Sequence, residues 1–356
     1  MPNNPTNLNL PEQRIRASWR TRAVAAGWCV GAQIFLSGCA VGLPLALNGT
    51  WLASLASLPF CAWLVSRCVR HLRTGQSHHS RAGYLLLAVS LLGCGVFACS
   101  SLVVFAAQTL VQQSRPIWTE AAALLGVLLC ALSGGTGAAR LCFALRYAAA
   151  ALILGLSLIS LPMRMPVGLF PILGAGIKSL SLSALCMLFG ASPALMLMLP
   201  PPELSGSQSE QAVPPLSFFL RRVLFGALVG AALLFLTCTG ATHESIARSS
   251  ELGARLRMAA GNQPHEGILQ MILILTKLIA MILLAANMLC AAQQALGAAI
   301  PALQQNNTGL LATGILLALA LAIPAICGDM PLLIAAPLIT VPATLSAGYF
   351  GRRPRA

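Results

Sequence analysis

Long apolar runs recur along this chain from residue 24 to residue 350, and nothing else constrains its fold as much. A helix rises 1.5 Å per residue, so crossing a hydrocarbon core takes roughly 20 apolar residues. Lipid offers no water to backbone N–H and C=O groups, so each run must pair them within itself as helix. The runs are rich in Leu and Ala and lack strict alternation, which argues against a membrane β-barrel. Composition agrees. Hydrophobic residues make up 57% of the 356 and charged residues 8%, against roughly 25% charged in soluble domains. The mean hydropathy is +0.82.

The pattern predicts an all-α polytopic membrane protein of about ten spans, at 24–46, 50–66, 84–111, 117–134, 138–161, 168–199, 216–239, 267–296, 309–327 and 331–350. Residues 1–23 form an N-terminal tail, 24–350 a single transmembrane domain, and 351–356 a C-terminal tail. A polar linker occupies 200–215 and a loop 240–266. Arg14, Arg16, Arg20 and Arg22 precede the first span. Arg67, Arg70, Arg73 and Arg81 fall between the second and third, and Arg140 just after the fourth. Arg221 and Arg222 open the seventh, and Arg352, Arg353 and Arg355 close the chain. With ten spans these all lie on one side, which the positive-inside rule makes cytoplasmic together with both termini. The expected location is a multi-pass inner membrane. The first span has no small-residue cleavage site after it, so it is expected to be retained.

The net charge of +14 does not point to nucleic acid, because the arginines cap apolar runs and form no basic stripe with interleaved aromatics. The twelve cysteines are scattered through the spans without metal-ligand spacing and read as small packing residues. His71, His78 and His79 read as solvated surface. There is no phosphate loop, paired-carboxylate site or other catalytic constellation, so an enzyme and a cofactor are not expected.

Two spans are interrupted. The first holds Ser37-Gly38-Cys39-Ala40-Val41-Gly42-Leu43-Pro44, and the sixth holds Phe170-Pro171-Ile172-Leu173-Gly174-Ala175-Gly176-Ile177-Lys178. Gly and Pro weaken a helix, and backbone groups freed at membrane depth need partners. Spans one and six open the two halves of a five-plus-five inverted repeat, where transporters bind solutes near the bilayer midplane. Ser37, Gly38, Gly42, Pro171, Gly174, Gly176 and Lys178 are therefore the candidate solute-binding residues. Arg146, Lys178 and Lys277 lie in or near membrane depth, where a bare charge costs on the order of 3 kcal/mol or more. Arg146 can snorkel to the cytoplasmic face. Lys277 reads as neutral, as paired with backbone carbonyls, or as an ion-site or structural cation bracing the break in span one.

Gly134-Gly135-Thr136-Gly137-Ala138-Ala139-Arg140, followed by Leu169 through Leu180 and on to Leu199-Pro200, resembles the GerAB-type spore germination permeases. The passage from Gly42-Leu43-Pro44 to Asn48-Gly49-Thr50-Trp51-Leu52-Ala53 is similar to that family's P…G-x-x-W-L pattern. The similarity is strongest over residues 30–200. It implies a ten-helix amino-acid/polyamine/organocation transporter fold, similar to LeuT. It also implies a nutrient-sensing subunit of a germinant receptor in the spore inner membrane, acting with an A-type membrane subunit and a C-type lipoprotein. A small nutrient such as an amino acid would bind between spans one and six. Lys178 and Arg140 occupy family-like positions. Two alternatives stand beside this expectation: an amino acid permease coupled to protons or an ion, and a ligand-free structural membrane subunit.

Overall fold

The computed structural model describes residues 10–46, 49–73, 81–109, 116–145, 176–201, 213–239, 266–300 and 314–315. Among them every regular element is helical. The chain runs through α1 (Leu10–Ser37), a π-helical turn (Gly38–Gly42), α2 (Leu43–Ala46), α3 (Thr50–Arg73), α4 (Arg81–Thr109) and α5 (Pro116–Leu132). It continues through α6 (Gly134–Leu145), α7 (Ile177–Leu188), a 3₁₀ segment (Phe189–Met198), α8 (Leu216–Thr239) and α9 (Glu266–Ala299). Among the described residues, six helices are long and apolar enough to cross a membrane. The pair Leu124–Leu132 and Gly134–Leu145 would add a seventh if it forms one span, but it is bent by 102°. Gly134, at φ 78°, makes that bend in the left-handed region that favours glycine. Most of the expected fifth, ninth and tenth spans lies outside the described residues.

Close approaches fix the relative directions of the helices. Gly27 meets the backbone at Arg222, Gly31 that at Gly226, and Gly38 the side chain of Leu234, so α1 and α8 run parallel. Gly42 lies against Ser183 and Met187, Gly190 against Ile34, and Arg22 against Met196, so α1 and the α7–3₁₀ span run antiparallel. These directions agree with span numbers one, six and seven. The Arg73 guanidinium donates to the Pro214 carbonyl at 2.9 Å, tying the end of α3 to the entry of α8. The basic start of α1, the basic end of α3 and the Arg221-Arg222 pair thus share one end of the bundle, as the arginine placement predicts.

The α1–α8 seam is built from small residues. Gly27 and Gly31 on α1 and Gly226 and Gly230 on α8 form two small-xxx-small stripes. A Cβ on Gly226 would overlap the Gly27 carbonyl, and one on Gly230 would sit 3.0 Å from the Gly31 Cα. In lipid, where apolar side chains gain little by leaving one apolar solvent for another, such close backbone packing drives helix association. The core is otherwise mostly Ala, Leu, Val, Cys, Phe and Met, with Trp19 and Ile34. Phe97 of α4 meets Phe189 edge to face at 5.2 Å, and Trp19 meets Phe219 at 5.7 Å. Eight of the ten cysteines with described side chains are buried; the Cys68 thiol donates to the Ala194 carbonyl at 3.7 Å, and Cys290 to Ala131 at 3.6 Å.

Three features differ from the sequence expectation. The first helix starts at Leu10, ahead of the apolar run, and Arg22 is buried inside the bundle rather than lying in a tail. The second helix runs on to Arg73, so Arg67, Arg70 and Arg73 ride on it instead of on the following loop. Basic side chains favour the negative end of a helix, which lets its last turns continue past the apolar run. The sixth span carries a further irregularity. Phe189–Met198 is 3₁₀ over 10 residues, although such runs seldom exceed three or four. All ten residues are buried, and Pro193 within the segment lacks an N–H to give. The segment stops where Leu199 turns extended, at φ −95° and ψ 131°, immediately before Pro200. A residue preceding proline is pushed out of the helical region.

Candidate functional site

The break expected in the first span is present as the π turn Gly38–Gly42. A π turn shifts the backbone hydrogen-bond register and commonly marks a functional site. Its glycines are required by their neighbours. A Cβ on Gly38 would come within 2.9 Å of the Leu234 Cγ. A Cβ on Gly42 would overlap the Thr50 methyl, with the Met187 Cε at 3.1 Å and the Ser183 Oγ at 3.4 Å. The turn is thereby clasped between α8 on one side and α3 and α7 on the other.

Around this turn lie buried polar groups without partners among the described residues. The Ser37 side chain is 1% exposed, and its hydroxyl has no hydrogen-bond partner. Gln33, one helical turn earlier, is 0% exposed, and neither its Oε1 nor its Nε2 is paired. Ser183, facing Gly42 from α7, is likewise buried with an unpaired hydroxyl. The indole N–H of Trp51, next to Thr50, has no acceptor. Leaving a buried polar group unpaired costs about 1–3 kcal/mol. Buried polar atoms are almost always satisfied, so a cluster of exceptions at an unwound helix calls for an explanation in ligand or water.

Helical geometry places these groups. Residues 22, 29 and 33 follow at spacings of seven and four, so Arg22, Cys29 and Gln33 share one face of α1. Gly27, Gly31 and Gly38 share another, the one pressed on α8. The polar face points into the bundle, where Arg22 sits 3% exposed. Its guanidinium donates from Nε and Nη2 to the Met196 carbonyl at 3.2 and 3.0 Å, and from Nη2 to the Gln294 Oε1 at 3.0 Å. One side chain thus joins α1, the end of the 3₁₀ segment and α9. Nearby, Asn287 of α9 donates to the Leu283 carbonyl at 2.8 Å and to the Cys142 sulfur at 3.4 Å.

The structure therefore brings together Ser37, Gly38 and Gly42 of the sequence-predicted set. Gly176 stands at the N-terminus of α7 with φ 111° and ψ 170°, a conformation that favours glycine, and accepts the Leu180 N–H at 3.0 Å. Lys178, in the first turn of α7, is exposed, as is Arg140 on α6. Pro171, Gly174 and Arg146 lie outside the described residues. Lys277 falls within α9, with its side chain outside them. Gln33, Ser183 and Arg22 were not among the expected site residues. Gln33 was legible, as the one amide between Arg22 and Ser37 in an otherwise apolar stretch. Ser183 lies among other serines of α7, and only the packing of Gly42 selects it.

No family model and no curated protein sequence matches the chain. Solved structures do. A nucleobase-cation-symport-1 family transporter, in a closed conformation with bromovinylhydantoin bound, superposes with a TM-score of 0.57 at 10% identity, over 90% of this chain and 74% of that one. A variant of the Eremococcus coleocola manganese transporter gives 0.53 at 15% identity, over 97% and 78%. The same transporter in complex with an aromatic bis-isothiourea compound gives 0.51 at 14% identity. At these identities the likeness concerns the fold, and the chain is an all-α, multi-pass membrane protein with the LeuT-like fold of these transporters.

Proposed function

We propose that the chain binds a small solute at the unwound turn of α1, and that it serves as the nutrient-sensing, transporter-like subunit of a spore germination receptor. The observation that carries the binding reading is the set of unpaired buried groups, Gln33, Ser37 and Ser183, beside the π turn. In this architecture, solutes bind where the first span of each repeat is broken. The sensing role is supported by the resemblance of residues 134–140 and 169–200 to the germination permeases. It brings with it A-type and C-type partner subunits and a spore inner-membrane location. The alternative, a secondary permease for an amino acid or related solute, shares the same fold and is favoured by its transporter neighbours.

The test is ligand-dependent thermal stabilisation of the purified full-length protein across amino acids, sugars and nucleosides. A ligand at a hundredfold excess over Kd stabilises by about 2.7 kcal/mol. Gly42→Leu, which would drive a side chain into Thr50 and Met187, is expected to abolish the shift. Binding without uptake by reconstituted vesicles supports the sensing role, and concentrative uptake by the protein alone supports the permease. No stabilisation by any solute would overturn the binding reading.

A further inference from the structure

Resting on that binding reading, we infer that the solute is uncharged and presents a paired hydrogen-bond donor and acceptor, as in a primary amide, a lactam or a cyclic ureide. Gln33 is the group that decides it. Its carboxamide offers one donor face and one acceptor face side by side. Both atoms are unpaired while the side chain is 0% exposed. The complement of such an edge is another amide edge, which closes two parallel hydrogen bonds. Ser37 lies one turn further along α1, roughly 5–6 Å away at the level of Cβ. Its unpaired hydroxyl can give or accept a third bond to the same small molecule.

Among the described side chains, the walls supply no countercharge. From Ala23 through the π turn to Ala46 the chain has no Asp, Glu, Lys, Arg or His, and neither α3 between Thr50 and Ser66 nor α4 between Ala82 and Thr109 has one. Arg22 shares the face of Gln33 but lies three turns away, with its guanidinium committed to Met196 and Gln294. Lys178 is exposed. Asn287 is neutral and already bonded to Leu283 and Cys142. Among the described side chains, then, a zwitterion or a metal cation entering beside Gln33 would shed its water without meeting an opposite charge, the costly case at membrane depth. A neutral amide loses less and recovers it from Gln33 and Ser37.

The experiment uses the full-length protein in detergent or nanodiscs, with uracil, hydantoin and nicotinamide as neutral probes. Alanine, leucine and manganese(II) serve as charged probes. The expected result is a concentration-dependent rise in Tm with at least one neutral probe and none with the charged set. Gln33→Leu should weaken that probe by roughly tenfold or more, and Ser37→Ala by less. Without ligand, Gln33→Leu should hold or raise Tm, because removing an unpaired buried amide relieves its desolvation cost. Stabilisation by a charged probe alone, lost in Gly42→Leu, would leave the site standing and overturn the neutral-solute inference. Silence from both sets would overturn the inference and the binding reading together. A fall in ligand-free Tm for both Gln33→Leu and Gln33→Met would assign Gln33 a structural bond and overturn the inference.

Discussion

Gly226→Leu is expected to lower the stability of the folded bundle by about 3 kcal/mol or more, the upper part of the range for overpacking. The first carbon of any side chain at 226 would overlap the Gly27 carbonyl, with the Gly27 Cα at 2.9 Å. The obstacle is backbone on a facing helix, which cannot rotate aside. α8 would have to move away from α1, and the matching approach of Gly230 to Gly31 would open with it. Gly38, which packs on Leu234 further along the same seam, ties the π turn to this contact. Ligand stabilisation is therefore expected to fall together with stability. Gly126→Ala is the control. Among the described residues its Cβ would meet only the Ile282 Cδ1, at 3.9 Å, and the change should stabilise α5 by roughly 0.5–1 kcal/mol. Unfolding curves of the purified variants check both. Equal tolerance at 226 and 126 would mean that the α1–α8 seam is not close-packed.

At Arg22 the conservative exchange is expected to be the more damaging one. The guanidinium is buried and makes three hydrogen bonds to neutral acceptors. Hydrogen bonds to a charged group contribute about 1.5–3 kcal/mol each, which offsets a burial penalty of several kcal/mol. Arg22→Met removes the charge and its penalty along with the bonds. The Met196 carbonyl keeps the Leu199 N–H at 3.3 Å, and Gln294 is only partly buried. The net loss should be about 1 kcal/mol. Arg22→Lys keeps the charge but loses the planar fork that reaches Met196 and Gln294 together. That variant should lose about 3 kcal/mol, the cost of leaving a buried charge poorly paired. Thermal unfolding of the two variants side by side checks the order. The reverse order would mean that the lysine reaches water at the basic end of the bundle.

The amino-acid sequence by itself determined that this chain lives in a bilayer and is helical, because runs of apolar residues leave the backbone no other way to pair its polar groups. It determined most helix positions for the same reason. The seventh span, at 216–239, coincides with α8, and among the described residues the basic start of α1, the basic end of α3 and the Arg221-Arg222 pair share one end of the bundle. It also located the break in α1, since Gly38 and Gly42 are weak helix formers wherever they stand. What only the tertiary structure decided is which of several similar residues matter. Arg22 looks like its neighbours Arg16 and Arg20 along the chain. It is distinct only because the end of the 3₁₀ segment and α9 close over it. Ser183 differs from Ser179 and Ser181 only in facing Gly42. The spacing of Gly27 with Gly31 and of Gly226 with Gly230 was visible in the sequence, but not that the two pairs meet, nearly 200 residues apart. Periodicity reports what one helix offers to its surroundings. Which helix accepts the offer depends on contacts distant in sequence, and those settle the seam, the buried arginine and the unpaired amide of Gln33.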